Sequence, residues 1–193
     1  RGSMHNTEDK PYWVGTGEQA EGPFVEIVCP VLKLHGRRNP AKGHDPYAPD
    51  LIVDEQLADL KHQTTPFFKA GMLYALDPQY TVTLNVKDYE RYSQNYPEIV
   101  IYIWVNWREL QKNINGKLYE VEPMRGVWRV SLRALREQVE SGQQPIHSYQ
   151  RRRNDMRGNA KDSYVFDLRG FDRLLECRSA QRMDDEWTAF EWA

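Results

Sequence analysis

Apolar and polar positions recur along this chain with the spacings of strands and helices that surround one sheet. Residues 99–105 form a nearly continuous apolar run, which predicts a central strand covered on both faces. Residues 87–96 have helical spacing, and Pro97 ends this predicted helix. Further strands are predicted at 24–34, 80–86 and 163–168, and further helices at 131–140 and 170–177. The pattern favours an α/β (α+β) fold in which helices flank a mixed central β-sheet.

Two short segments with alternating polarity, 50–54 and 57–63, predict a β-hairpin. We expect its turn at Glu55-Gln56, which sets Ile52 opposite Asp59. Side chains alternate between the faces of a strand, so one face of the hairpin is apolar and packs against the core. The other face carries two carboxylates, an ammonium and an amide: Asp50, Asp59, Lys61 and Gln63.

These groups suit metal-assisted hydrolysis of a phosphodiester. Side chains on neighbouring strands lie about 5–8 Å apart, so Asp50 and Asp59 can reach one divalent cation. Mg²⁺ (or Mn²⁺) binds such oxygen ligands, lowers the pKa of a bound water and stabilises charge on a phosphate. Lys61 beside them can orient or help to deprotonate that water. A salt-bridged strand face with a purely structural role is the alternative.

Pro49-Asp50, followed by eight residues and then Asp59-Leu60-Lys61, resembles the PD-(D/E)xK nuclease motif. That superfamily includes type II restriction endonucleases, Holliday-junction resolvases and DNA-repair nucleases. The predicted helix and buried strand after the hairpin also follow the order of that family. The resemblance covers residues 24–107 and implies a restriction-endonuclease-like core, with residues 108–193 as a C-terminal elaboration for substrate binding or dimerisation.

The resemblance also implies roles for individual residues. Asp50 and Asp59 would be metal ligands, Lys61 would lie near the attacking water, and Gln63 matches an extension found in some branches. Many relatives supply another acidic ligand from a helix before the first strand. Three residues are candidates for that ligand: Glu18, Glu21 and Glu26, of which we retain Glu21 and Glu26.

Two basic segments favour a nucleic-acid substrate, because clustered arginines near glycine and asparagine suit phosphate contacts. The first precedes the hairpin, and the second precedes the last predicted strand. The candidate nucleic-acid-binding residues are Arg37, Arg38, Lys42, Arg151, Arg152, Arg153 and Arg157. A solvated basic loop is the alternative for either segment.

Composition narrows the class of protein. The chain has 193 residues, 40% of them hydrophobic and 28% charged, which is typical of one globular domain. Residues 1–4 resemble a cloning remnant, so we expect a single domain over 5–193, with a basic loop and an acidic, aromatic tail in its C-terminal part. No apolar stretch is long enough to span a membrane, and two distant cysteines fit a reducing compartment, so we expect a cytoplasmic protein.

The sequence therefore predicts a Mg²⁺-dependent deoxyribonuclease that binds DNA and that can form a homodimer. An alternative is a catalytically inactive nuclease-fold protein that binds nucleic acid or a protein partner. A third is a component of a mobile element or defence system whose fold supports protein contacts through its tryptophan-rich tail.

Overall fold

The computed structural model describes residues 20–148 and 162–178, which form a mixed α/β fold. Helices in these two stretches are α1 (20–31), α2 (Ala70–Tyr74), α3 (Val86–Asn95) and α4 (Leu132–Glu140). The strands are β1 (Gly36–Arg38), β2 (Leu51–Val53), β3 (Gln56–Gln63), β4 (Thr81–Asn85), β5 (Val100–Asn106), β6 (Gln111–Ile114), β7 (Lys117–Glu120), β8 (Arg125–Ser131), β9 (Ile146–His147), β10 (Ser163–Asp167) and β11 (Asp172–Cys177). Short 3₁₀ turns occupy Pro40–Gly43 and Leu168–Gly170.

The main sheet has the strand order β1-β2-β3-β5-β8-β11. Its pairs are antiparallel except for β3 and β5, which run parallel. The connection between those two strands passes through α2, β4 and α3. A second sheet has the order β4-β10-β9, and β6 pairs with β7 in a separate hairpin. The predicted mixed central sheet with flanking helices is therefore confirmed.

Apolar clusters cover both faces of the main sheet. On one face, Phe24 and Val28 of α1 pack with Leu51, Leu60 and Trp104 from the strands. On the other face, α3, α4 and the second sheet pack over β5 and β8, with a cluster that includes Tyr92, Ile101, Trp128, Leu135 and Phe166. Strand β5 lies between the two clusters and is buried on both sides, as its continuous apolar run predicts.

The predicted strand at 24–34 is wrong, because residues 20–31 are helical. Ala20, Phe24 and Val28 are buried at a spacing of four, which is the spacing of one helix face. A short apolar run fits a buried helix as well as a strand. Phe24–Val28 has π-helical hydrogen bonding just before Pro30, whose ring and missing N–H disfavour a regular α-helix there.

The predicted helix at 170–177 is also wrong, because Asp172–Cys177 is the edge strand β11 and pairs with β8. Leucine and glutamate favour helices in isolation, but pairing with a neighbouring strand overrides so weak a preference. Strand β8 itself was not predicted. The predicted helices at 87–96 and 131–140 and the strands at 80–86, 99–105 and 163–168 are confirmed, with no end shifted by more than one residue.

The predicted hairpin forms, but its turn is Asp54-Glu55 instead of Glu55-Gln56. Both turn residues have positive φ, 48° and 62°, although neither is the glycine or asparagine that such a turn favours. Leu51 consequently pairs with Ala58, and continuing this register sets Asp50 opposite Asp59. The shift moves the partner strand by two residues, so each side chain keeps its predicted face.

None of the helices within 20–148 and 162–178 is long and apolar enough to cross a membrane. The second basic segment, with Arg151, Arg152, Arg153 and Arg157, lies outside the described residues, as do Glu18 and the acidic tail.

Candidate active site

Asp50 and Asp59 lie at the open end of the β2–β3 hairpin, on the face that looks toward α3. The Asp59 side chain is only 2% exposed, and that of Asp50 is 14% exposed. Asp50 Oδ2 accepts a hydrogen bond of 3.3 Å from the backbone N–H of Leu60, which fixes it against β3. The hairpin therefore brings together the two carboxylates that the sequence predicts as a pair.

Lys61 lies beside them, as its position on the same face of β3 requires. Its ammonium nitrogen is 2.9 Å from Asp59 Oδ2 and 3.1 Å from Asp88 Oδ2. Burial alone would lower the pKa of Lys61, but the carboxylates of Asp59 and Asp88 and the phenol of Tyr92 outweigh burial and raise it well above its ordinary value. Lys61 is therefore a cation at neutral pH in this arrangement.

Helix α3 contributes Asp88, Arg91 and Tyr92 to the site, and none of these three roles was predicted from the sequence. Arg91 Nη2 is 3.1 Å from Asp88 Oδ1, and its guanidinium lies over the Tyr92 ring at 5.0 Å. Burial and the neighbouring Asp59 raise the pKa of Tyr92, which is 2% exposed. The spacing i, i+3, i+4 that puts these residues on one helix face was visible in the sequence.

The pKa of Asp59 is raised to about 6, first because burial disfavours its charged form. Lys61 acts in the opposite direction by stabilising the carboxylate, whereas the nearby Asp50 raises the pKa further. No described donor is aligned for a hydrogen bond to the buried Asp59 Oδ2, although Lys61 forms an ion pair with it. The Lys61 ammonium thus lies directly against the buried oxygen of Asp59.

Lys42 joins the site from the 3₁₀ turn Pro40–Gly43. Its ammonium contacts Asp50 Oδ1 and lies 3.8 Å from Glu21 Oε1 on α1. Burial lowers the pKa of Lys42, but its bond to Asp50 and the charges of Asp50 and Glu21 outweigh burial and raise it. Lys42 is one of the predicted nucleic-acid-binding residues, but its ammonium lies in the carboxylate cluster.

The remaining predicted site residues divide into two groups. Glu21 is 8% exposed on α1 and reaches the cluster through Lys42, whereas Glu26 lies on the exposed side of the same helix. Gln63 donates a hydrogen bond of 3.0 Å from its amide to the carbonyl of Thr83, which connects β3 to β4. Glu21 is thus the better placed of the two candidate acidic residues.

Arg37 and Arg38 are exposed on the edge strand β1. Arg37 Nη2 lies 3.5 Å from Glu55 Oε2, an ion pair at the surface. Both guanidinium groups are at the surface of the molecule, where a phosphate backbone can approach them.

The donor set fits a hard cation bound through two carboxylates and completed by water. Mg²⁺ takes one or two carboxylates and keeps several waters, and Asp50 and Asp59 supply such a pair. Asp59 Oδ2 also lies 2.9 Å from the Lys61 ammonium, so a cation bound there would share that carboxylate with Lys61. Within 20–148 and 162–178, however, no group of three or more His, Cys, Asp or Glu side chains is arranged to hold a metal ion by itself.

No family model, curated protein or solved structure matches this chain.

Proposed function

We propose that this protein is a metal-dependent endonuclease that hydrolyses DNA phosphodiester bonds at the Asp50–Asp59–Lys61 site. The observation that carries the proposal is the apposition of Asp50 and Asp59 across the β2–β3 hairpin, with Lys61 2.9 Å from a buried Asp59 oxygen. A carboxylate pair with an adjacent ammonium is the set of groups expected for metal-assisted hydrolysis of a phosphodiester.

Three features outside the hairpin support assignment to the PD-(D/E)xK group. Helix α1 precedes the first strand and carries the buried Glu21, the position from which many relatives supply an acidic residue. Helix α3 and then the buried strand β5 follow the hairpin. On this proposal, residues 24–107 are a restriction-endonuclease-like core and residues 108–193 are its elaboration.

The acidic and basic side chains of the site have different roles in this proposal. Asp50 and Asp59 hold the cation, and a bound Mg²⁺ or Mn²⁺ supplies a water of lowered pKa and offsets charge on the phosphate. Lys61 keeps its proton because Asp59 and Asp88 raise its pKa. It would therefore orient the water and neutralise the phosphate.

Cleavage of plasmid and linear DNA tests the proposal, with Mg²⁺, with Mn²⁺ and with EDTA, and with RNA in a parallel reaction. We expect cleavage of DNA with either metal and none with EDTA. Asp59→Asn should lose both cleavage and metal binding measured by calorimetry, whereas Lys61→Ala should lose cleavage and keep metal binding. Asp172→Asn, a change at a 75% exposed carboxylate, is the control and should retain both.

A second function, nucleic-acid binding without cleavage, is favoured by the pairing of the acids with bases. Lys42 pairs with Glu21 and Asp50, and Lys61 pairs with Asp59 and Asp88, so each of these four acids lies against an ammonium without any added ion. This function predicts DNA binding that is unchanged by EDTA, with no metal binding and no cleavage. Those results would replace the nuclease proposal.

A further inference from the structure

We propose that Lys42 is a built-in counter-ion that competes with the divalent cation for Asp50 and thereby sets the metal affinity of the site. The inference rests on the proposed function, because it concerns the same carboxylates. It assigns to Lys42 a role that neither the motif nor a surface contact with DNA would give it.

The ammonium of Lys42 lies directly against Asp50. Lys42 Nζ contacts Asp50 Oδ1, while the second oxygen of Asp50 accepts the hydrogen bond from Leu60 N–H. Both oxygens of Asp50 are therefore engaged. A cation that binds Asp50 through Oδ1 has to displace the ammonium, because two positive charges repel each other strongly at contact distance.

The second step is the rigidity of the turn that carries Lys42. The side chain of Asn39 accepts a hydrogen bond of 3.1 Å from Ala41 N–H and donates one of 2.8 Å to the carbonyl of Pro49. Its backbone N–H donates to the carbonyl of Asp50 at 3.0 Å. Asn39 is 7% exposed, and its bonds hold the turn against the strand that begins at Leu51.

The third step is the second acid on the same ammonium. Glu21 Oε1 lies 3.8 Å from Lys42 Nζ, and the Lys42 side chain is 28% exposed. One ammonium thus offsets part of the charge of two carboxylates. Removing it takes away the cation that contacts Asp50 Oδ1, which raises the attraction for Mg²⁺ or Mn²⁺ and destabilises the metal-free fold.

Calorimetric titration of Mn²⁺ and Mg²⁺ into metal-free protein tests the inference. The variants are Lys42→Met, which keeps an unbranched side chain but removes the charge, and Lys42→Arg, which keeps the charge. Lys112→Met, at an exposed lysine of β6, is the matched control. We expect the Mn²⁺ affinity of Lys42→Met to rise at least tenfold, and that of Lys42→Arg and Lys112→Met to stay within about twofold of the parent.

Thermal unfolding provides a readout that does not depend on activity. In EDTA, Lys42→Met should unfold at a lower temperature than the parent, and saturating Mn²⁺ should raise its Tm by more than it raises that of the parent. Should Lys42→Met fail to fold without metal, Lys42→Gln replaces it in both measurements.

The outcomes separate this inference from the proposed function. Equal Mn²⁺ affinity in the parent and in Lys42→Met would overturn the inference and leave the metal site standing. Binding by Lys42→Met but not by the parent supports the inference and makes the parent a protein whose site is closed by its own lysine. Absence of binding in every variant overturns both proposals.

Discussion

Lys61 and Asp88 meet where α3 packs on β3, with the ammonium nitrogen 3.1 Å from Asp88 Oδ2. The same ammonium lies 2.9 Å from Asp59 Oδ2, so Lys61 is shared by a carboxylate of β3 and one of α3. Because Asp88 also pairs with Arg91, it is held in place by the helix that carries it. Asp88 therefore positions the lysine without belonging to the hairpin motif.

We expect Asp88→Asn to slow metal-dependent cleavage about tenfold, equivalent to about 1.4 kcal/mol, because Lys61 loses one of its two anchors. Metal affinity should remain within about twofold of the parent, since Asp88 is not a ligand. Cleavage rates at saturating metal and calorimetric titration measure the two effects. Asp172→Asn is the control, and a parallel loss of metal affinity in Asp88→Asn would assign Asp88 to the ligands instead.

The stability of the metal-free protein should depend on pH through Asp59. Its pKa is raised from 3.8 to about 6 on folding, so between these values the folded state holds a proton that the unfolded state has released. This contribution is fully present below pH 4 and is lost as the pH rises through 6. Relative to Asp59→Asn, the parent should lose at most about 3 kcal/mol of unfolding free energy over that range.

Urea unfolding in EDTA at pH 4, 5, 6 and 7.5 measures that difference. Burial lowers the pKa of His62 to about 4, so His62 makes stability rise with pH, opposite to Asp59. Because His62 is present in both proteins, subtracting the unfolding free energy of Asp59→Asn from that of the parent removes its contribution. A difference between parent and Asp59→Asn that does not change with pH would show that Asp59 titrates normally in the folded protein.

Glu21 and Glu26 should respond differently to loss of charge, although both lie on α1. Glu21→Gln should weaken Mn²⁺ binding about tenfold. This is the low end of the roughly 10–100-fold loss that follows removal of a group that supports a metal ligand. Glu26→Gln should leave Mn²⁺ binding unchanged, because Glu26 is exposed. Calorimetry of the two variants side by side provides its own control, and equal effects would remove Glu21 from the site.

Helix α1 is seated on β1 by a close approach of Cys29 to Gly36. A Cβ atom added at Gly36 would lie 2.6 Å from Cys29 Sγ. We expect Gly36→Ala to destabilise the protein by about 1–3 kcal/mol through overpacking. Cys29→Ala removes the sulphur, so the double variant should lose less stability than the sum of the two single changes.

Gly43→Ala is the control for that cycle, because a Cβ added at Gly43 has no atom within 4 Å. Urea unfolding of the four proteins and of the control gives the coupling energy. Strict additivity of Gly36→Ala and Cys29→Ala would contradict the contact.

DNA affinity should fall with salt if the arginine run from Arg151 to Arg153 contacts phosphates. Each lost contact should flatten the log–log slope by about 0.9. Replacement of all three arginines with alanine should therefore flatten the slope of log affinity against log salt concentration. The matched control replaces Arg133, Arg136 and Arg173 with alanine and should leave this slope unchanged. Fluorescence anisotropy over a range of salt concentrations measures both slopes, and equal flattening would indicate a general effect of charge.

The hairpin and β5 could be predicted because burial imposes its pattern on the sequence directly. A strand covered on both faces is continuously apolar, and a strand with one buried face alternates. The turn was misplaced by one residue because Asp54 and Glu55 adopt positive φ without a glycine or asparagine to mark them. The misplaced turn changed which residues pair across the hairpin but not the face on which each side chain lies. Asp50 and Asp59 are therefore still on the same face, as predicted.

The roles of Asp88 and Lys42 could not be predicted in the same way. Asp88 reaches Lys61 only because the crossover between β3 and β5 sets α3 over the charged face, a relation between distant parts of the chain. Lys42 points inward because Asn39 fixes its turn, and a basic loop in a sequence carries no mark of that direction.

Strand β3 also determines how the protein tolerates mutation. Its even-numbered residues Ala58 and Leu60 lie in the cluster under α1, whereas Asp59 and Lys61 face α3. Neighbouring positions along one strand therefore face different surroundings: changes at the first pair should reduce the amount of folded protein, and changes at the second pair should, on the proposed function, remove cleavage. Substitutions along β3 should accordingly fall into two alternating sets. Those at Ala58 and Leu60 should lower the amount of folded protein, and those at Asp59 and Lys61 should lower the cleavage rate.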